Sequence, residues 1–197
     1  NVTAFAEAIR EKVEPELQPP VMIDVKIGDF ALSGRIDRIR GDTLLHYRLT
    51  TLKPKDFVRV WIEHLVRNLS EEVPALLFGK DEQLIAGYEF PPINNAGKLL
   101  TDLLALYWRG LSQPLRFFPR TSWAFAETIA QGKDEMKACL AAGQIWRGNE
   151  REGKGEQDDS YIKLAFRNVN DVLDEDWKQT SLRVLSPLLQ TRDDNRI

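Results

Sequence analysis

Gly34-Arg35-Ile36-Asp37-Arg38-Ile39, followed after a Gly41-Asp42 turn by Leu44-Leu45-His46-Tyr47-Arg48, decides how this chain is read. Both stretches have the residue types of β-strands. Together they have the layout of a metal-dependent nuclease site, in which one strand ends in an Asp and the next carries an acidic residue and a Lys on the same face. In a working site the two carboxylates hold Mg²⁺, which polarises the phosphate and generates hydroxide, while the Lys stabilises developing charge or positions the water. Asp37 is in place, but the second strand reads His46-Tyr47-Arg48 where Asp-x-Lys would stand. An imidazole replaces a hard oxygen ligand, and an always-charged guanidinium replaces a tunable amine. One carboxylate and an imidazole hold Mg²⁺ poorly. The expectation is a degenerate site (Asp37, His46, Arg48) on a scaffold kept for binding and assembly, with no metal and no other cofactor in this domain.

Bulk properties set the frame. The chain has 197 residues, 43% of them hydrophobic, enough for a substantial core in one domain or one with an appendage. A net charge of -3 and a pI near 5.6 argue against a general nucleic-acid or anionic-membrane binder, so any DNA contact must be local. The single Cys139 permits no internal disulfide and no Cys-based metal cluster, which suits a reducing cytosol and reads as a small buried residue. With no signal peptide and no apolar run near ~18 residues, a soluble, cytoplasmic protein with no membrane partner is expected. The start at Asn1 rather than Met suggests a piece of a longer protein.

Outward from the opening stretch, Phe5, Ile9 and Val13 predict a short helix over residues 4–14. Residues 21–27, 31–39 and 43–49 read as a three-stranded meander. Phe57, Trp61 and Leu65, flanked by Val58, Ile62, Val66 and Leu69, predict a helix over 54–69 with Pro54 in its first turn. Residues 75–78 and 84–90 read as two further strands around Gly79-Lys80-Asp81-Glu82. A helix over 95–111 should bury Leu99, Leu100, Leu103, Leu104 and Tyr107. Then come an extended run at 115–118, a long helix over 122–142, a short helix holding Tyr161, Leu164 and Phe166, a closing helix over 174–189, and a frayed tail at 191–197.

Helix, meander, crossing helix, further strand and helix is the order of a restriction-endonuclease-like (PD-(D/E)xK) core, an α/β fold with a central mixed sheet flanked by helices. The expected organisation is a nuclease-like α/β core over 1–147, a mobile polar loop over 148–159, which carries no apolar side chain, and a C-terminal helical extension of the same domain over 160–197.

More specific are several separated motifs in one order: Gly34 to Ile39, Trp61-Ile62-Glu63-His64-Leu65, Tyr107 to Gly110 with Ser112-Gln113-Pro114-Leu115, Phe117-Phe118-Pro119, and the acidic loop running into Asp158-Asp159-Ser160-Tyr161. Together they resemble the C-terminal domain family of the exodeoxyribonuclease V gamma subunit, RecC, from the first helix to about Pro187. The resemblance implies a nuclease-like domain in a three-subunit helicase-nuclease that processes broken DNA ends, with RecB-like and RecD-like subunits and DNA as partners. In the related beta subunit the Gly-x-Ile-Asp strand is followed by Leu-Asp-Tyr-Lys. It also implies channels for the separated strands and a pin that helps split the duplex. Recognition of the Chi sequence belongs mainly to earlier domains of such a subunit and is carried onto no residue here.

Residues 35–67 hold eight Lys or Arg against four acids, a local +4. From this set Arg35, Arg38, Lys53, Lys55 and Arg59 are candidate DNA-binding residues, with a solvated charged face as the equal alternative. Asp37 reads as an ion-paired group rather than a metal ligand, and Arg48 as its internal partner. Glu63 reads as a helix-face or interface residue. The competing enzyme hypothesis is an active Mg²⁺-dependent nuclease using Asp37 and a relocated carboxylate, Glu63. Trp61, Trp108, Trp123 and Trp177 read as core or interface anchors, and Trp146, beside the polar loop, as a DNA contact.

Overall fold

A computed structural model describes residues 2–13, 16–81, 84–149 and 153–196. The chain forms two compact units, one from residues 1–102 with 191–197 and the other from 103–190. The polar stretch 148–159 lies in the second.

In the first unit, α1 (Val2–Arg10) buries Phe5 and Ala8, and its Ile9 with the following Val13 packs on a cluster of Phe5, Leu45 and Phe78. Strands β1 (Val21–Ile27) and β2 (Phe30–Ile36) form an antiparallel hairpin, with Gly28 supplying the positive φ its turn needs. The expected meander then breaks. Arg38 adopts φ 66°, a left-handed conformation that no strand accommodates, and the chain leaves the first hairpin for a second sheet. That sheet takes β3 (Ile39–Arg40), β4 (Thr43–Thr51), β5 (Ala75–Asp81) and β6 (Leu84–Phe90) in the order β3-β4-β5-β6. It is mixed, because β4 and β5 run parallel and the other pairs antiparallel. The tail is not frayed. Asp193–Arg196 adds an antiparallel strand to the outer edge of β6. The hairpin turn expected at 79–82 starts later, since β5 continues to Asp81; Glu82 lies outside the described residues.

Parallel β4 and β5 require a crossover, which is α2 (Pro54–Arg67). Pro54 fits its first turn, and the Asp56 carboxylate accepts from Lys53 N at 2.8 Å, satisfying a donor at the helix start. Its buried stripe is Phe57, Val60, Trp61, His64, Leu65 and Arg67, with Asn68 following. Val58 is only partly buried and Ile62 is exposed, so the stripe lies one position round from the apolar reading. Polar side chains can line it because they are satisfied there. Asn68 Nδ2 donates to Val73 O at 3.0 Å, and its Oδ1 accepts from Val73 N and Ile93 N. His64 Nε2 donates to Pro91 O at 3.1 Å, and its Nδ1 accepts from Asn68 Nδ2. These bonds staple the end of α2 to two loops.

Register places Leu44, His46, Ala75, Leu77, Tyr88 and Phe90 on one face of the sheet and Leu45, Leu76, Phe78 and Ile85 on the other. The first face packs on α2, where Trp61 and His64 meet the Phe90 ring and Phe57 meets Tyr88 edge-on. The second packs on α1. The result is an α/β unit of helix, sheet and helix layers.

Helix α3 (Ala96–Ser112) carries the sequence into the second unit. It buries Leu100 and Leu106, with Leu103 and Leu104 half-buried, while Tyr107 and Trp108 are 60% and 65% exposed, against the expectation that both are anchors. The predicted long helix at 122–142 is two helices, α4 (Pro119–Ala130) and α5 (Glu135–Arg147). Gly132 at φ 74° ends the first, and the Asp134 side chain starts the second by accepting from Lys137 N at 2.9 Å. Next come a short hairpin of β7 (Gly148–Asn149) and β8 (Gly153–Lys154), a 3-10 turn at Glu156–Asp158, α6 (Ser160–Ala165) and α7 (Glu175–Thr191). The core is Phe118, Phe125, Ala138, Ala142 and Trp177, with the half-buried Cys139 packed against it. Trp177 Nε1 donates to Ser122 Oγ, which also accepts from Phe118 N and hydrogen-bonds Ser181 Oγ. Tyr161 and Leu164 are exposed, and it is Ile162 and Phe166 that pack inward. Among the described residues no helix is long and apolar enough to cross a membrane.

Candidate functional site

The period of two in β4 puts His46 and Arg48 on the face that meets α2. His46 is buried, and its Nε2 donates to Glu63 Oε2 at 2.8 Å. The other Glu63 oxygen accepts from Arg59 Nε at 3.1 Å. Burial raises the Glu63 pKa, but the hydrogen bonds and charges of His46 and Arg59 outweigh it and hold the carboxyl below its ordinary range. One turn-pair earlier on α2, Asp56 accepts from Arg48 Nη1 through both oxygens, at 3.0 and 3.1 Å. Arg48 Nε donates to Thr50 Oγ1 at 2.6 Å. The residues standing where a nuclease of this layout carries its second carboxylate and Lys therefore fasten the strand to two acids of the covering helix.

Asp37 sits apart from this lock in its bonding. It occupies the exposed connection between β2 and β3 and pairs with Arg35 Nε at 3.3 Å. The expected Arg48 partner was Asp37, but the pair is Arg48 with Asp56, because Asp37 precedes the Arg38 turn while Arg48 is held on the α2 face of β4. Glu63 is a strand-to-helix contact as well as a helix-face residue. Among the described residues no three His, Cys, Asp or Glu side chains converge as they would around a metal ion.

The candidate DNA-binding residues divide between the units. Arg35, Arg38, Lys53, Lys55 and Arg59 are all exposed in the first, although Arg35 and Arg59 already hold Asp37 and Glu63. Trp146 belongs to the second, half-buried with its ring 4.7 Å from that of Phe118. Sequence reasoning missed the His64-Asn68 network, although a His and an Asn four apart on one helix face, just before a Val-Pro turn, is a usable signal. It also missed Glu156, whose oxygens accept from Arg120 N at 3.1 Å and Thr121 N at 2.7 Å, so that residue of the polar stretch caps the start of α4.

Residues 1–130 match the family described as the RecC C-terminal domain. The chain belongs to that family. Curated relatives agree. The RecBCD enzyme subunit RecC of Buchnera aphidicola subsp. Schizaphis graminum is 27% identical over 162 residues, covering 75% of this chain and 14% of the relative. That of Escherichia coli (strain K12) is 26% identical over 181 residues, covering 85% of this chain and 16% of the relative. That of Buchnera aphidicola subsp. Acyrthosiphon pisum is 21% identical over 186 residues. The chain thus spans about a sixth of the length of these RecC subunits, and the family assignment concerns one domain of them.

Proposed function

We propose that this RecC C-terminal domain is a non-catalytic, nuclease-derived module, with a restriction-endonuclease-like ancestry for its α/β unit, that acts as scaffold and DNA-channel wall in a RecBCD-type helicase-nuclease. The partners are RecB-like and RecD-like subunits and DNA, the setting is cytoplasmic double-strand break repair and recombination, and the module needs no cofactor of its own. The observation that carries the proposal is the double lock of β4 onto α2. His46 and Arg48 occupy the positions of the metal-binding carboxylate and the Lys, and each is bonded to an acid of α2. A Mg²⁺ site would need two oxygen ligands free to converge on it. Using Glu63 as a relocated ligand would require it to give up both His46 and Arg59, and Asp37 is engaged by Arg35. The exposed cations of residues 35–59 suit a phosphate backbone held by charge rather than by sequence.

The test is direct. Incubated with linear duplex and single-stranded DNA plus Mg²⁺ or Mn²⁺, the domain should leave both intact, and it should bind DNA weakly with an affinity that falls as salt rises. Cleavage that disappears in Asp37→Ala would overturn the proposal in favour of an active nuclease. Salt-independent behaviour with no DNA binding would leave a pure protein-interaction module.

A further inference from the structure

Two neighbouring hollows flank the Phe166–Val169 turn of the second unit, and they differ in charge. One, of about 320 Å³, is lined by Arg109, Gln113, Pro114 and Arg116, with Phe166, Val169 and Asp176 completing it. Its cations are already matched: Arg109 donates to Asp176 and Thr180, and Arg116 pairs with Asp174. The other, of about 290 Å³, is lined by Trp146, Gln157, Lys163, Phe166, Arg167 and Asn170 over an apolar floor of Ile162, Val169 and Val172. Here Lys163 pairs with Asp158 on an exposed surface, at 3.0 Å, and Arg167 is exposed with no ion pair among the described residues. Aromatic rings, two side-chain amides and two cations in one concavity make an unusual combination. A flat heteroaromatic base finds π-faces to stack on, amides can donate to and accept from its edge, and cations at the rim take the phosphate.

We propose that this hollow holds one unpaired nucleotide of a single DNA strand, stacked against Trp146 and Phe166 with its phosphate at Lys163 and Arg167. The inference rests on the DNA-channel reading above and deepens it by placing a contact on residues outside the basic stretch 35–67. The volume lies at the lower end of the ~300–1,000 Å³ of small-ligand pockets, which suits a single base and excludes a base pair. Its neighbour is the weaker candidate, since a phosphate there would have to displace carboxylates from both arginines. Trp146 also packs on Phe118, so its removal would disturb the core and only conservative replacement there is informative.

The experiment uses the full 197-residue chain with a fluorescent oligothymidylate in which one position is 5-bromouracil. Ultraviolet crosslinking followed by peptide mass mapping should join that base to the Trp146 or Phe166 peptide. The double variant Lys163→Gln, Arg167→Gln, which touches only exposed side chains, should lower the slope of log affinity against log salt by about 1.4, at ~0.7 per lost phosphate contact on a single strand. That corresponds to about a tenfold loss near 0.2 M salt. Trp146→Phe should keep most of the binding. If the strand binds but crosslinks only to peptides within 35–67, and the double variant binds like the parent, the hollow is overturned while the channel reading stands. If no salt-dependent DNA binding occurs at all, both fall. Thymidine monophosphate competing as well as the oligonucleotide would overturn the strand in favour of a free-nucleotide site.

Discussion

Acidification should unfold the first unit through His64. Its ring is fully buried, Nε2–H is spent on Pro91 O, and the lone pair of Nδ1 accepts from Asn68. A second proton on Nδ1 would face an amide N–H that cannot turn away, because Asn68 is held by Val73 and Ile93. Burial therefore pushes the imidazole from 6.5 down to about 4, against the opposing hydrogen bond to Pro91. Unfolding returns the ring to its ordinary value, so the unfolded chain binds the extra proton first. The stability this group confers is complete above pH 6.5 and is lost as pH falls through 4. At ~1.4 kcal/mol for each tenfold difference in proton affinity between the folded and unfolded chain, the loss over that window is about 3 kcal/mol. Urea denaturation of the parent and of His64→Gln at intervals between pH 7.5 and 4 measures it. Gln can donate to Pro91 O but cannot titrate, so the variant should be less stable at neutral pH yet show a flatter decline. A parent and variant with the same pH slope, or an NMR titration placing His64 near 6.5, would refute the mechanism.

Other consequences are smaller. Asp56→Ala removes both the Arg48 pair and the acceptor for Lys53 N, and should cost about 1–2 kcal/mol in denaturant without altering DNA binding. Arg38→Gly should be neutral or slightly stabilising and Arg38→Val destabilising by about 1–2 kcal/mol, since φ 66° suits glycine and opposes a β-branched residue; thermal unfolding reads both. Glu156→Gln should weaken the cap on α4 by about 1 kcal/mol and speed hydrogen exchange at Arg120 and Thr121 ahead of the rest of that helix.

The α/β character was legible because it rests on periodicity: the strands at 21–27, 43–49 and 84–90 and the helix from Pro54 fall where apolar spacing puts them. What failed to show was set by single residues acting against their type. A left-handed arginine split the meander, which no propensity forecasts. Gly132 and Asp134 carried a stop and a start that a continuous apolar pattern concealed. Buried His64, Arg67 and Asn68 turned the stripe of α2 because their polar atoms find partners only in the folded unit. In the candidate site, the replacement of Asp-x-Lys by His46 and Arg48 was evident from the residues alone. Their bonding to Glu63 and Asp56 was not, since the relevant acids lie on a different element and pair through space rather than through spacing.

The edge of β6 receives its last partner from Asp193–Arg196, after the whole of residues 103–190 has been made. During synthesis the nascent sheet must therefore wait with a row of unfilled amide and carbonyl groups, an invitation to any passing strand. A ribosome pausing within 103–190 would lengthen that exposure, and a shortened message that stops before 193 would make it permanent.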